Sequence, residues 1–174
     1  MLTIFHGTAR ADSNSRKISN FYDEMLGKRN IPHQFFTLEG VDESIFNKTY
    51  LHPKHPQLSS IEEHILGPTS KYIFIIPEYN GSFPGMFKAF IDATDIKKCF
   101  NYKKASLTGV AEGRAGNLRG MEHLTNIFNH IKMDVLHFKI PISQVHLHLD
   151  ESGKLNDPDI IKMIDIQLDL FLKF

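Results

Sequence analysis

Apolar positions along the chain alternate between two periods. Leu2 to His6 is a short run of strand-forming residues closed by Gly7. Beyond a polar loop, Ile18, Phe21, Tyr22, Met25 and Leu26 recur at helical spacing, and Gly27 and Pro32 end that stripe. His33 to Leu38 reads as a second strand. Tyr72 to Ile76 is unbroken, β-branched and aromatic, the pattern of a strand buried on both faces, and Pro77 stops it. Met86, Phe87, Phe90, Ile91 and Thr94 mark one face of a helix that Pro84 opens. Ala105 to Ala111 predicts a fourth strand, and Leu118, Met121, Leu124, Phe128 and Ile131 the next helix. Val135 to Ile140 predicts a fifth strand, continued after Pro141 by Ile142 to Leu149. Asn156, Asp157 and Pro158 start a last helix whose apolar face is Ile160, Ile161, Ile164, Leu168 and Phe171.

Strands alternating with helices imply a parallel sheet covered on both faces, a three-layer α/β sandwich. For five strands at this length the expected order is 2-1-3-4-5, in one domain spanning residues 1–174. Such a sheet takes ligands beyond the carboxyl ends of strands one, three and four. Those ends carry the unusual residues of this sequence.

Composition narrows the ligand. The 174 residues carry 20 basic and 20 acidic side chains, a balance that argues against a nucleic-acid partner. Apolar runs fall short of a membrane span, and the first residues lack the basic and apolar pattern of a secretory leader, so a cytoplasmic setting is expected. Cys99 stands alone, which excludes an internal disulfide, and it reads as an inert thiol. A small-molecule ligand is the remaining expectation.

The loop after the first strand, Gly7 to Arg16, places Thr8, Ser13 and Ser15 hydroxyls and the planar cation Arg10 at a helix start. Free amides and the helix dipole favour an anion there, and this donor set suits a terminal monophosphate. An ordinary polar loop capped by Ser13 or Asn14 explains the same residues. Triphosphate P-loop and GxGxxG dinucleotide patterns are absent. So are the acidic residues of a receiver domain and the loop cysteine of a low-molecular-weight phosphatase. The loop after the fourth strand holds Gly109, Glu112, Gly113, Arg114 and Gly116, and glycine loops before helices are common in themselves.

The most specific string runs from Pro77 to Lys88: Pro77, Glu78, Tyr79, Asn80, Gly81, Ser82, then Pro84, Gly85 and Lys88. It resembles the P-E-Y-N-G-S-x-P-G-x-L-K-N pattern of the NAD(P)H-dependent FMN reductases, a flavodoxin-like group that includes quinone, azo-dye and chromate reductases. Phe87 stands at the usual Leu and Ala89 at the usual Asn. The first loop resembles the family's G-S-x-R-x-x-S-x-N, with Thr8 and Ser15 as hydrogen-bonding replacements. The resemblance implies that Thr8, Arg10, Ser13 and Ser15 hold the FMN phosphate. Pro77, Glu78, Tyr79, Asn80, Gly81 and Ser82 would line the isoalloxazine ring, with Glu112 and Gly113 as further contacts. It implies NADPH or NADH as hydride donor, a quinone, azo compound, metal oxyanion or flavin as acceptor, and a homodimer or dimer of dimers. The cofactor carries the chemistry, so no side chain is assigned a catalytic role. Rival readings are a non-enzymatic electron carrier, against which the loop sequence, zero net charge and lack of Trp argue, and a flavin-free regulatory module.

Two features point elsewhere. His146 and His148 would share a strand face, and His52 and His55 sit in a Pro-rich loop, yet neither pair has a ligand spacing that completes a zinc site. The long segment from Gly40 to Ser59 is expected to overhang the ligand cleft or meet a second subunit.

Overall fold

The computed structural model describes residues 1–48 and 55–174. Strands β1 (Leu2–His6), β2 (His33–Thr37), β3 (Lys71–Pro77), β4 (Lys104–Val110), β5 (Asp134–Val135) and β6 (Ile140–Ile142) form one parallel sheet. Its order is β2-β1-β3-β4-β5, with β6 also on β4, so the predicted flavodoxin-like topology holds. Helices α1 (Asn14–Lys28) and α7 (Pro158–Lys173) cover one face. Covering the other are α3 (Pro56–Ile61), α4 (Gly85–Ala93) and α6 (Leu118–His130), with α2 (Ser44–Lys48) and α5 (Ile96–Cys99) as short additions.

Period-2 alternation sorts the strand residues between two cores. On β3, Tyr72, Phe74 and Ile76 face the α4/α6 side while Ile73 and Ile75 face α1 and α7. The first core is aromatic: Phe5 lies 4.8 Å from Phe36, 5.1 Å from Phe87 and 5.4 Å from Phe74, ring centre to ring centre. Each such ring, fully buried, stabilises the fold by roughly 2–3 kcal/mol. This rigid slab fixes where β1, β3 and β4 end.

The fifth strand departs from expectation. β5 and β6 both pair with β4 but are separated by four residues, and 143–149 is not a strand; Val145–His148 is a short 3-10 turn. The gap is bridged from α7. Buried Gln167 donates from Nε2 to Leu107 O and Phe138 O, both at 3.0 Å, standing in for the missing ladder bond. Its Oε1 accepts from Tyr22 Oη at 2.7 Å and Thr108 Oγ1 at 3.2 Å. Gln167→Leu therefore strands buried polar groups on three elements. It should cost about 2–4 kcal/mol in urea unfolding, and a loss under 1 kcal/mol would contradict this role.

The 40–59 segment also differs from a bare loop. Ser44–Lys48 and Pro56–Ile61 are helical, His55 capping the second with Pro56 in its first turn, and a π-helical turn, Glu62–Leu66, follows. Ile45 and Leu58 are buried in the aromatic core. None of the segment's described residues lines the cleft below, and residues 49–54, His52 included, lie outside the described residues. Cys99 is buried, in keeping with an inert thiol. No helix among the described residues is long and apolar enough to cross a membrane.

Candidate functional site

A cleft of about 250 Å³ opens at the carboxyl ends of β1, β3 and β4, near the lower end of small-molecule sites. From the predicted residues it gathers Arg10, Ser13, Ser15, Pro77, Glu78, Tyr79 and Glu112. Asp12, Asn14, Val110 and Val145, none of them assigned to a ligand from the sequence, complete its lining.

Its floor is the start of α1. Ser13 is the N-cap, with extended backbone, and its Oγ accepts from Arg16 N at 3.2 Å. Capping leaves the first amides of the helix, those of Asn14 and Ser15, without helical partners, and both residues line the cleft. Ser13 Oγ and Ser15 Oγ are 3.0 Å apart, so a second hydroxyl stands beside the capping one at the helix start. Beneath them lies fully buried His6, whose Nε2 is 3.0 Å from Ser15 Oγ and 3.3 Å from Ser13 Oγ. His6 pairs with Thr37 in the β1–β2 register, and its Nδ1 meets Thr37 Oγ1 at 3.1 Å. Burial, and then the Arg16 guanidinium, hold the imidazole down to about 4, so it is neutral at ordinary pH. Arg16 is paired with Glu39 at 3.1 Å. Arg10, by contrast, is exposed and makes no side-chain hydrogen bond or ion pair with any described residue.

Thr8 does not line the cleft. It is buried behind it, and its Oγ1 takes Arg10 N at 3.3 Å and Tyr79 Oη at 3.0 Å, tying the first loop to the third.

The wall is the Glu78–Ser82 turn. Tyr79 and Ser82 exchange two backbone bonds, at 2.8 and 3.1 Å, around Asn80 (φ +51°) and Gly81 (φ +78°). Two left-handed central residues make a type I′ hairpin, the turn that Asn-Gly favours. A Cβ on Gly81 would meet nothing within 4 Å, so this face is open to a flat ligand. Asn80, Gly81 and Ser82 extend the wall beyond the cleft proper, and Ser82 Oγ is 2.9 Å from His123 Nδ1 on α6.

The third side is the β4 loop, whose glycines divide by role. A Cβ on Gly109 would lie 2.2 Å from Gly116 O, and one on Gly116 (φ +55°) 2.6 Å from Pro141 C. These two are close-packing glycines that fold the loop back over β6. Gly113 alone of the three faces open space. Asn117, left-handed at φ +62°, donates its backbone N–H to Glu78 Oε2 at 3.1 Å and its side-chain amide to Ile76 O at 3.0 Å. Glu112 is exposed; it accepts from Asn14 Nδ2 and meets His146 Nδ1 at 2.5 Å. His148 faces a different way, to Asp157 at 2.8 Å, so the two histidines do not converge. Among the described residues no three His, Cys, Asp or Glu side chains cluster to hold a metal.

Glu78 and Glu112 are thus engaged by neutral or basic donors, while Arg10, two hydroxyls and first-turn amides remain for an anion. A phosphate monoester attached to a flat ring fits this donor set: the anion at the helix start, the ring toward the hairpin.

The profile of the NADPH-dependent FMN reductase family matches residues 1–146. No curated protein matches the chain. Among solved structures, the flavoenzyme NAD(P)H:(acceptor) oxidoreductase FerB of Paracoccus denitrificans superposes with a TM-score of 0.74 at 20% identity, over 99% of this chain and 97% of that one. The apo form of the NADH:FMN oxidoreductase EMOB gives 0.72 at 14%, over 99% and 89%. An FMN-dependent NADH-azoreductase of Bacillus anthracis, solved with FMN, gives 0.55 at 11%, over 97% and 96%. At these identities the structures attest the shared fold.

Proposed function

The chain belongs to the NADPH-dependent FMN reductase family, and from that premise we propose that the turn at residues 8–16 grips the FMN phosphate while the 78–82 hairpin backs the isoalloxazine ring. The activity is that of an NAD(P)H-dependent FMN oxidoreductase serving a small-molecule acceptor. When bound, FMN supplies a ring that accepts hydride from a nicotinamide and passes two electrons on.

The residues of this chain bind and orient. Arg10 and the α1 amides neutralise the phosphate, and Ser13 and Ser15 donate hydroxyl protons to it. Thr8 positions rather than contacts, holding Tyr79 by its hydroxyl. Asn117 fixes the Glu78 carboxylate, leaving Asn80 and Gly81 at the rim. No side chain is assigned a proton-transfer role, because positioning of donor and acceptor suffices for a hydride relay. The single observation carrying this placement is the convergence of an unpaired Arg10 and the Ser13/Ser15 pair in one cleft with Glu78 and Tyr79.

The reading extends to one flavodoxin-like FMN-binding domain over residues 1–174, a quinone, azo, metal-oxyanion or flavin acceptor, and a cytoplasmic homodimer or dimer of dimers. Purified protein loaded with FMN should oxidise NADH or NADPH when a quinone is added and show the yellow absorption of bound flavin. Nicotinamide oxidation that is the same with and without FMN would refute it.

A further inference from the structure

The flavin-binding reading leaves His6 without a task, although it sits directly under the phosphate turn. Its Nε2, Ser13 Oγ and Ser15 Oγ form a triangle with edges of 3.0, 3.0 and 3.3 Å. Proton counting decides what this triangle offers an anion. With Nε2 bare, one of the two hydroxyl protons turns inward to the ring. With protons on both ring nitrogens, Nδ1 donating to Thr37 Oγ1, the imidazolium donates from Nε2 to the triangle and that hydroxyl proton is released. A neutral ring with its one proton on Nε2 would also release it, but would leave the titration midpoint unmoved by ligand. Ser13 Oγ already accepts from Arg16 N, so what it has left to offer is a proton.

The surroundings explain why the ring is neutral without ligand and why a phosphate changes that. From α1 the charge near His6 is Arg16, partly balanced by Glu39 just beyond β2. From β2 the facing group is the Thr37 hydroxyl, and from β3 the register partner is apolar Ile75. The loop adds Arg10 and Asp12 at the cleft. No carboxylate among the described residues hydrogen-bonds the ring, so an unliganded imidazolium would be buried without a counter-ion. A dianion at the α1 start provides one.

We infer that His6 is a positioning residue that takes up a solvent proton when a phosphate monoester seats on the turn, holding Ser13 and Ser15 so that their hydroxyls donate outward. The inference rests on the FMN placement above. It makes the chain prefer the phosphorylated flavin over riboflavin, increasingly so as pH falls. The sign follows from linkage. The free ring titrates at about 4 and the loaded one higher, so FMN affinity gains as pH drops through the loaded value and levels off near the free value. Second ionisation of the phosphate, near pH ~6, works in the opposite direction, which is why a variant is compared at each pH.

The test is the titration of the His6 ring by NMR in free, FMN-loaded and riboflavin-loaded protein. FMN should raise the midpoint by about two units, and riboflavin should leave it unmoved. In parallel, the ratio of FMN dissociation constants between His6→Gln and wild type should widen about tenfold from pH 8 to pH 5. FMN binding with an unmoved His6 midpoint, an equal rise with riboflavin, or a flat ratio overturns the inference alone. Absence of flavin binding to wild-type protein overturns the FMN placement, and this inference with it.

Discussion

Replacing Arg10 with Ala is expected to weaken FMN binding by roughly 10- to 100-fold while leaving riboflavin affinity unchanged. Loss of one charge-assisted contact is worth about 1.5–3 kcal/mol, which converts to that range. The effect is large here because the cleft is not strongly basic. Asp12, Glu78 and Glu112 share its lining, and among the described residues Arg10 is the one Arg or Lys that lines it. Arg16 lies outside the lining and is engaged by Glu39. On the proposed placement, retention depends on one guanidinium, two hydroxyls and the amides of α1. Saturated with FMN, the variant should turn over within a few-fold of wild type, since Arg10 grips the end of the cofactor remote from the reacting ring. Equilibrium titration with both flavins checks this. Equal FMN affinity in variant and wild type, or a parallel loss for riboflavin, would remove Arg10 from the phosphate site.

The second large effect concerns the β4 loop. Gly116→Ala should destabilise the protein by about 3–5 kcal/mol, whereas Gly113→Ala should stay within about 1 kcal/mol. At Gly116 the backbone is left-handed (φ +55°), and a Cβ would sit 2.6–2.9 Å from three atoms of Pro141. Both penalties act together: the left-handed conformation costs an L-residue about 1 kcal/mol, and overlap with backbone cannot relax by a rotamer change. Shifting this loop also moves Asn117, which would free the Glu78 carboxylate that its N–H holds. Flavin affinity should fall along with stability. Denaturant unfolding of the two variants separates the roles, and comparable stability for both would show that Gly116 is no tighter than Gly113.

Much of the architecture is legible in the chain because local signals agree with the packing. β3 reads as a central strand since Tyr72 to Ile76 serve two cores at once. Asn80 and Gly81 announce a type I′ turn, Ser13 a helix cap, and Asp157 with Pro158 the start of α7; each is a backbone requirement met by its own residue. The features that escaped depend on distant partners. The break between β5 and β6 is supported by Gln167, whose amide reaches Leu107 and Phe138 from the last helix. α3 begins in a Pro- and His-rich stretch with no clear period, and its buried anchors, Leu58 and Ile61, are too few to show one.

The site divides the same way. Arg10, Ser13, Ser15, Glu78 and Tyr79 are recognisable from the two loop patterns and do line one cleft. Thr8 shows itself as a brace and Gly116 as a packing residue only once Tyr79 and Pro141 are seen against them. His6 is hidden for a different reason: it ends an apolar strand and reads as a strand terminus, while its role comes from Thr37 across the register and from the α1 hydroxyls. The link from Asn14 through Glu112 to His146 joins the start of α1, the β4 loop and the 3-10 turn, and has no signature along the chain.

A crystal structure with FMN is the most direct measurement. Phosphate oxygens should lie within hydrogen-bonding distance of Ser13 Oγ, the Arg10 guanidinium and the first amides of α1, with the tricyclic ring against Asn80 and Gly81. A flavin whose phosphate points away from that helix start, or which settles on another surface of the sheet, would contradict the placement from which everything else about this site is drawn.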